Sequence, residues 1–194
     1  LLSPEVKKHS EDALNALKRI LPPGEALENF STELAFASQG LTISDLQFDV
    51  YSGQGKMKGR VDLKGPQPVY FFEGEINRIN LAQFFSREKK ENKILEGNFF
   101  TTFKIQGKNL DPDAGTKGLS GEGQFSITNG EFHTFNLLDA ISQIKGFSSL
   151  SPFVSPSTRF DDLRSPFIIS EEKMKTEGLK IIASDYSVRA DGEI

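Results

Sequence analysis

The chain has 194 residues, with 27 acidic and 23 basic side chains, a net charge of −4 and a pI near 5.3, a balance that argues against nucleic acid as the main partner. Cysteine is absent, which excludes disulfides, thiolate metal ligands and a cysteine nucleophile. A hydrophobic share of 37% beside 26% charged residues is that of an ordinary folded protein of about one domain, and no apolar run approaches the roughly 18 residues a membrane helix needs.

The first residue is Leu rather than Met, with no secretory signal before the charges that begin at Glu5. A fragment or processed chain is expected from this, with any anchor or targeting segment left out. Ser3-Pro4 suits a helix cap and first helical position. Ala13, Leu14, Leu17, Ile20 and Leu21 recur at helical spacing, and Pro22-Pro23-Gly24 closes the run. The expected organisation is an amphipathic helix and its break over residues 1–24, then a single β-rich domain over 25–194.

From Glu25 onward the period is two. Leu34 and Phe36, Leu41 and Ile43, and Leu46, Phe48 and Val50 each alternate with polar neighbours. Residues 53–63 place Met57 and Val61 on one face and lysines on the other. Tyr70, Phe72 and Ile76 oppose Glu73 and Glu75. These are half-buried antiparallel strands, one face wet and one apolar. Asn80 reads as the cap of a short helix, with Gln83 at N3, an Ile79–Phe84 staple, and Leu81, Phe84 and Phe85 as its apolar stripe. Residues 86–93 are a charge run expected to be a solvated loop.

Phe99 to Ile105 alternates again, and 111–118 is a turn region. Residues 119–144 read as strand, an Asn129-Gly130 hairpin turn, a second strand, and a helix capped by Asn136. Residues 147–158 are rich in Ser and Pro and read as a loop. Three further strands are expected around Phe167–Ile169, Leu179–Ala183 and Tyr186–Ile194.

Two echoes recur. Leu46, Phe48, Gly59 and Val61 are matched 133 residues later by Leu179, Ile181, Gly192 and Ile194. Asn80-Leu81 is matched 56 residues later by Asn136-Leu137. Duplication and convergent hairpin patterns both account for them, and either favours a sheet that grows by similar hairpins.

No catalytic constellation emerges. His9 and His133 are the only histidines, too few for a zinc site, and there is no G-x-S-x-G elbow. Asp111-Pro112-Asp113 lacks the glycine and terminal glutamate of a calcium loop. Asp161-Asp162 reads as a solvated pair. Gly53, Gly55 and Gly59 lie between strand patterns with no helix start to hold phosphate, so bulges and close strand packing account for them. The expectation is a protein without enzymatic activity, cofactor or metal.

The ordered series LTISDLQFDVYSGQGKMKGRVDL, INLAQFF, LSGEGQFSITNGEFHTFNLLDAIS and the tail from Phe160 resembles the C-terminal region of the AsmA family over about residues 41–194. The resemblance implies a β-rich, groove-forming envelope protein of Gram-negative bacteria, related to TamB-like and bridge-like lipid-transfer proteins. It further implies a periplasmic body that belongs to an inner-membrane-anchored protein, with the anchor absent from this chain. Phospholipid or another acyl-chain ligand is the implied partner, with outer-membrane assembly proteins as further partners, and the implied role is lipid movement between the membranes in support of outer-membrane assembly.

The fold class expected is mainly β with a few short helices, as a curved antiparallel meander forming a half-barrel or groove. Its candidate lipid-facing residues are Phe48, Val50, Phe72, Phe99, Phe103, Phe125, Ile127, Ile181 and Ala183. The competing assignment for each is a plain core position or a place under one of the short helices. A structural module that docks another envelope protein through an exposed sheet edge is the alternative function. A polysaccharide-binding domain is disfavoured by the lack of Trp.

Overall fold

In the computed structural model the described residues are 27–37, 39–87, 95–108, 118–133 and 157–193. The predicted helices at 1–24 and from Asn136, the second Asn-Leu echo, the charge run beyond Arg87, and most of the 111–118 and 147–158 segments lie outside them. Among the described residues nine strands and one short helix follow in order: β1 (Leu27–Ala37), β2 (Gly40–Val50), β3 (Gly53–Asp62), β4 (Val69–Asn80), α1 (Leu81–Arg87), β5 (Leu95–Lys108), β6 (Leu119–Phe132), β7 (Thr158–Ser170), β8 (Lys173–Ile182) and β9 (Ser187–Glu193). Each strand pairs antiparallel with the next, in one sheet ordered β1 to β9. Among the described residues β1 and β9 are its two ends, so the sheet is not closed. The mainly β, meandering architecture expected from the alternation is the one observed.

Alternation decides which side chains share a face, and register carries that face from strand to strand. One row runs Phe48, Gly55, Ile76, Thr101, Phe125 and Ser165. The next runs Leu46, Met57, Gly74, Phe103, Gly123 and Phe167. Gly53, Gly55 and Gly59 all fall on this apolar side, and the Phe48 ring lies over Gly55, as expected for close strand packing. Lys58, Glu73, Lys104 and Glu122 form a row on the other side.

Two clusters hold the apolar side. Leu41, Ile43, Leu46, Phe48, Val50, Val61, Tyr70 and Phe72 form the first, on β2–β4. Leu81, Ile127, Phe160, Leu163 and Ile181 form the second, on α1 and β6–β8. Burying one such side chain contributes about 1.5–3 kcal/mol.

Where the period of two breaks, the strand bulges and the apolar side chains keep facing inward. Ile43 pairs with Gly59 and Leu46 with Met57, so Ser44 and Asp45 together oppose Lys58. The two alternating runs read separately in the sequence are therefore one strand. In β4, Asn77 and Arg78 oppose Phe100 between the Ile76–Thr101 and Ile79–Phe99 pairs, with Arg78 at φ 63°. An extra residue of this kind bends the strand and restores its phase. β4 then passes directly into α1, whose start is capped by Asn80: its Oδ1 accepts from the Gln83 amide at 3.1 Å, as its sequence predicts. Ser86 and Arg87, expected in a loop, complete the helix.

The Asn129-Gly130 hairpin is corrected by the structure. β6 runs unbroken from Leu119 to Phe132, and these two residues sit inside it as a bulge opposite Gly97 of β5. Asn129 takes the left-handed conformation at φ 51°, which asparagine tolerates. Gly130 serves another purpose, because it pairs with Phe160 and a side chain there would overlap the Phe160 ring. The left-handed pair that closes a two-residue turn is found instead at Tyr51-Ser52 (φ 47° and 61°), between the paired Val50 and Gly53. Helix α1 holds that turn: the Asn80 amide donates to the Tyr51 carbonyl at 2.9 Å, the Ser52 hydroxyl to Gln83 Oε1 at 3.1 Å, and the Tyr51 ring meets Phe84 edge-on at 5.4 Å. Glu171-Glu172 (φ 52° and 66°) makes the same turn between Ser170 and Lys173.

The echo at 133 residues is written into the hydrogen-bond register. Ile43–Gly59, Leu46–Met57 and Phe48–Gly55 of β2–β3 reappear as Thr176–Gly192, Leu179–Ala190 and Ile181–Val188 of β8–β9. The interruption falls at the same place, after Ile43 and after Thr176. It extends one strand further than the sequence indicated. Ser31–Gln47, Ala35–Thr42 and Ala37–Gly40 are matched by Arg164–Lys180, Ile168–Lys175 and Ser170–Lys173. β1–β2–β3 and β7–β8–β9 are thus the same three-stranded unit.

Tyr70 lies in the first cluster at 5% exposure, and burial pushes its phenol above the ordinary value of 10.0. The folded state therefore holds the proton after the unfolded chain has released it. That contribution is complete below pH 10.0 and is lost as pH rises from there through the folded-state value. Stability of the wild-type chain, followed by urea unfolding, is expected to fall more steeply above pH 10 than that of Tyr70→Phe.

Candidate functional site

All nine candidate lipid-facing side chains project from the same face of the sheet, from β2, β4, β5, β6 and β8 and, for Ala183, just past β8. Burial divides them. Phe48, Val50, Phe72, Ile127 and Ile181 are between 3% and 6% exposed and belong to the two clusters. Phe99, Phe103, Phe125 and Ala183 are half-buried. The three phenylalanines stand at the cluster margins, Phe103 against the first, Phe99 and Phe125 against the second. Between the clusters, on β5–β7, lies a strip of partly accessible aromatic surface.

Its geometry follows from register. Phe99 pairs with Ile127 one row from Phe125, and the Phe99 and Phe125 rings stack with centroids 6.4 Å apart and planes 25° apart. Phe125 continues to Phe167 at 6.4 Å and 36°. Offset arrangements of this kind suit the ring quadrupoles. Phe103 and Phe167 flank Gly123 in one row, and the Phe167 ring leans over the glycine, where a Cβ would come within 2.5 Å of it. Gly123 thus lowers the floor between two rings. Phe167 is the strip residue missing from the sequence-derived set. Its own alternation placed it on a strand, but only pairing with β6 fixes which face it joins.

The opposite face has its own relief, which the sequence left as a plain wet surface. Two open hollows of about 800 and 830 Å³ lie across β2–β7 and β2–β6. The first takes its lining in triplets such as Lys56–Met57–Lys58, Glu73–Gly74–Glu75 and Thr102–Phe103–Lys104. The apolar-face neighbours two positions away do not join it, so it opens on the polar side. Lys58 Nζ is 2.7 Å from Glu73, and Lys104 Nζ is 3.9 Å from its other oxygen. The hydrogen bond holds the Lys58 ammonium above its usual range and the Glu73 carboxyl below its own. These side chains are 40% to 72% exposed, so the ladder orders the strands more than it stabilises them. Arg60 lies 4.3 Å over the Phe71 ring at the edge of the second hollow.

The remaining polar cluster joins strand ends. Glu131 accepts from the Ser157 hydroxyl at 2.6 Å and from Arg159 Nε at 3.0 Å, which together hold its carboxyl below the ordinary range. His133, just past β6, has Nε2 3.4 Å from Glu96. These contacts tie the end of β6 to the starts of β5 and β7. Among the described residues no group of three or more His, Asp or Glu side chains is arranged to hold a metal ion, and Asp161 is exposed at the surface of β7.

The AsmA family model matches residues 11–176, a span that starts before the resembling motifs, takes in the whole leading apolar repeat and stops short of residues 177–194. No curated protein and no solved structure gives a match. With its family model covering most of the sequence, the chain belongs to the AsmA family.

Proposed function

We propose that the chain is a non-enzymatic envelope module that holds the acyl chain of a phospholipid on the aromatic strip of Phe99, Phe103, Phe125 and Phe167, in a groove formed by the apolar face. Its place would be the periplasm, within an inner-membrane-anchored protein that passes lipid between the membranes and supports outer-membrane assembly. Membership of the AsmA family is consistent with an envelope role. The observation that carries the reading is the line of half-buried rings between two sealed clusters. The buried candidates would frame the strip from beneath and from either side, and Ala183 would border it.

Each methylene withdrawn from water contributes about 0.8 kcal/mol, so some five methylenes on the strip contribute roughly 4 kcal/mol, equivalent to a Kd near 1 mM. Such a chain is held loosely and slides, as transfer requires. The test is equilibrium dialysis of the chain against a millimolar short-chain phospholipid, with the retained lipid measured by mass spectrometry. Wild type is expected to carry phospholipid, and the Phe103→Asp/Phe125→Asp double variant at least tenfold less, with an unchanged far-ultraviolet circular dichroism spectrum. A folded wild-type chain free of lipid, or a folded variant that retains it, would overturn the proposal.

A further inference from the structure

The two ends of the sheet differ. β9 has seven residues, among them Arg189, Asp191 and Glu193, and short, charged edge strands resist pairing with other chains. β1 has eleven residues, with neither Lys nor Pro, and leaves Phe30 and Phe36 at 49% and 42% exposure. A long edge strand with exposed rings and few charges is one that recruits another strand.

The duplicated unit says which strand. β7 is the counterpart of β1, and in β7 the edge that β1 leaves open among the described residues is paired with β6. There Gly121 opposes Ile169, Gly123 opposes Phe167 and Phe125 opposes Ser165. At the constant offset of 133 residues those three β7 positions correspond to Phe36, Leu34 and Thr32. The consequence of the missing neighbour is visible in burial: Ser165 is 2% exposed, whereas Thr32 is exposed. Phe30 lies beyond an irregularity near Asn29 and falls outside the matched register.

We propose that the outer edge of β1 docks an extended segment of another polypeptide, antiparallel, with glycine opposite Phe36 and Leu34 and a large apolar residue opposite Thr32. The partner's chemistry is therefore a Gly-x-Gly-x-Phe pattern on an alternating strand, the pattern of Gly121 to Phe125. A second copy of this chain does not supply it. Its own such run is held between β5 and β7, and β1 contains no glycine with which to meet a second β1. Main-chain hydrogen bonds would give affinity, and the glycines would let the Phe36 ring and Leu34 lie across the incoming strand as Phe167 lies over Gly123. This inference is independent of the lipid proposal, since it uses the edge of the sheet and not the strip on β5–β7.

The probe is a fluorescent peptide of residues 119–128, titrated into the full chain and followed by anisotropy. Saturable binding is expected. Phe36→Lys, at an exposed position that leaves the fold intact, is expected to weaken it at least tenfold, and so is valine at both peptide glycines. Absence of binding to the folded chain overturns the proposal. So does binding that neither change weakens, which would place the peptide elsewhere. Concentration-dependent dimerisation in sedimentation that Phe36→Lys abolishes and the peptide fails to compete away would assign the edge to a second copy and likewise overturn it.

Discussion

Gly130→Val is expected to destabilise the chain by about 2–3 kcal/mol, the upper part of the usual range for overpacking a core. The backbone is not the reason, since Gly130 is absent from the left-handed residues of the chain and valine is favoured in strands. The cost comes from the Phe160 ring, which is 3% exposed, packs on Phe132 at 5.1 Å, and occupies the space into which a Cβ would project. Phe160→Ala alone is expected to cost about 3–5 kcal/mol through the cavity it leaves. In the double variant the valine fills part of that cavity, so the combined loss should fall well below the sum of the two. Urea unfolding of the four proteins measures this coupling. Strict additivity would mean that ring and glycine do not share the space the structure gives them.

The same pair explains how a strong local signal misled. Asn-Gly is the commonest hairpin dipeptide because both residues accept positive φ, yet here only Asn129 adopts it, as part of a bulge, and Gly130 makes room for a ring from the neighbouring strand. Tyr51-Ser52 and Glu171-Glu172 make the tight turns with no glycine and no asparagine. The first is held by contacts from α1, 29 to 33 residues away in sequence, which no local pattern contains. Phe160 to Ser170 illustrates a related limit: Pro166 argues against a central strand, but it lies where β7–β8 pairing is interrupted between Arg164 and Ile168.

What depends only on alternation was legible. Met57 and Val61, Tyr70 and Phe72, and Leu46, Phe48 and Val50 all face the side their spacing assigned, as does the Asn80 cap its helix. The candidate residues share one face for the same reason. Which of them stay partly accessible was not legible, because accessibility depends on what neighbouring strands place beside them. Phe72 and Phe103 have like patterns in sequence. Phe72 lies within the first cluster, whereas Phe103 stands at its margin between Gly74 and Gly123, positions that contribute no side chain to cover it. The duplication lay between these extremes: four residues suggested it, and the shared register of two strand pairs, β1–β2 with β7–β8 and β2–β3 with β8–β9, carries it.

Register and packing can be separated by experiment, because the duplicated unit holds Leu46 and Leu179 at the same place in its pairing pattern. If stability followed from strand pairing, truncating either would cost the same. Their surroundings differ. Leu46 is 1% exposed and surrounded by the first cluster, whereas Leu179 is half-buried at the fringe of the second, near the short edge strand β9. Leu46→Ala is expected to cost about 3–4 kcal/mol, a transfer loss plus an unfilled cavity. Leu179→Ala should cost only about 1 kcal/mol, since part of its surface is already wet and the site can relax. Urea midpoints at an unchanged m-value would measure both. Equal losses would mean that the β7–β9 unit is packed as tightly as β1–β3, and that the edge beside β9 is sealed rather than open.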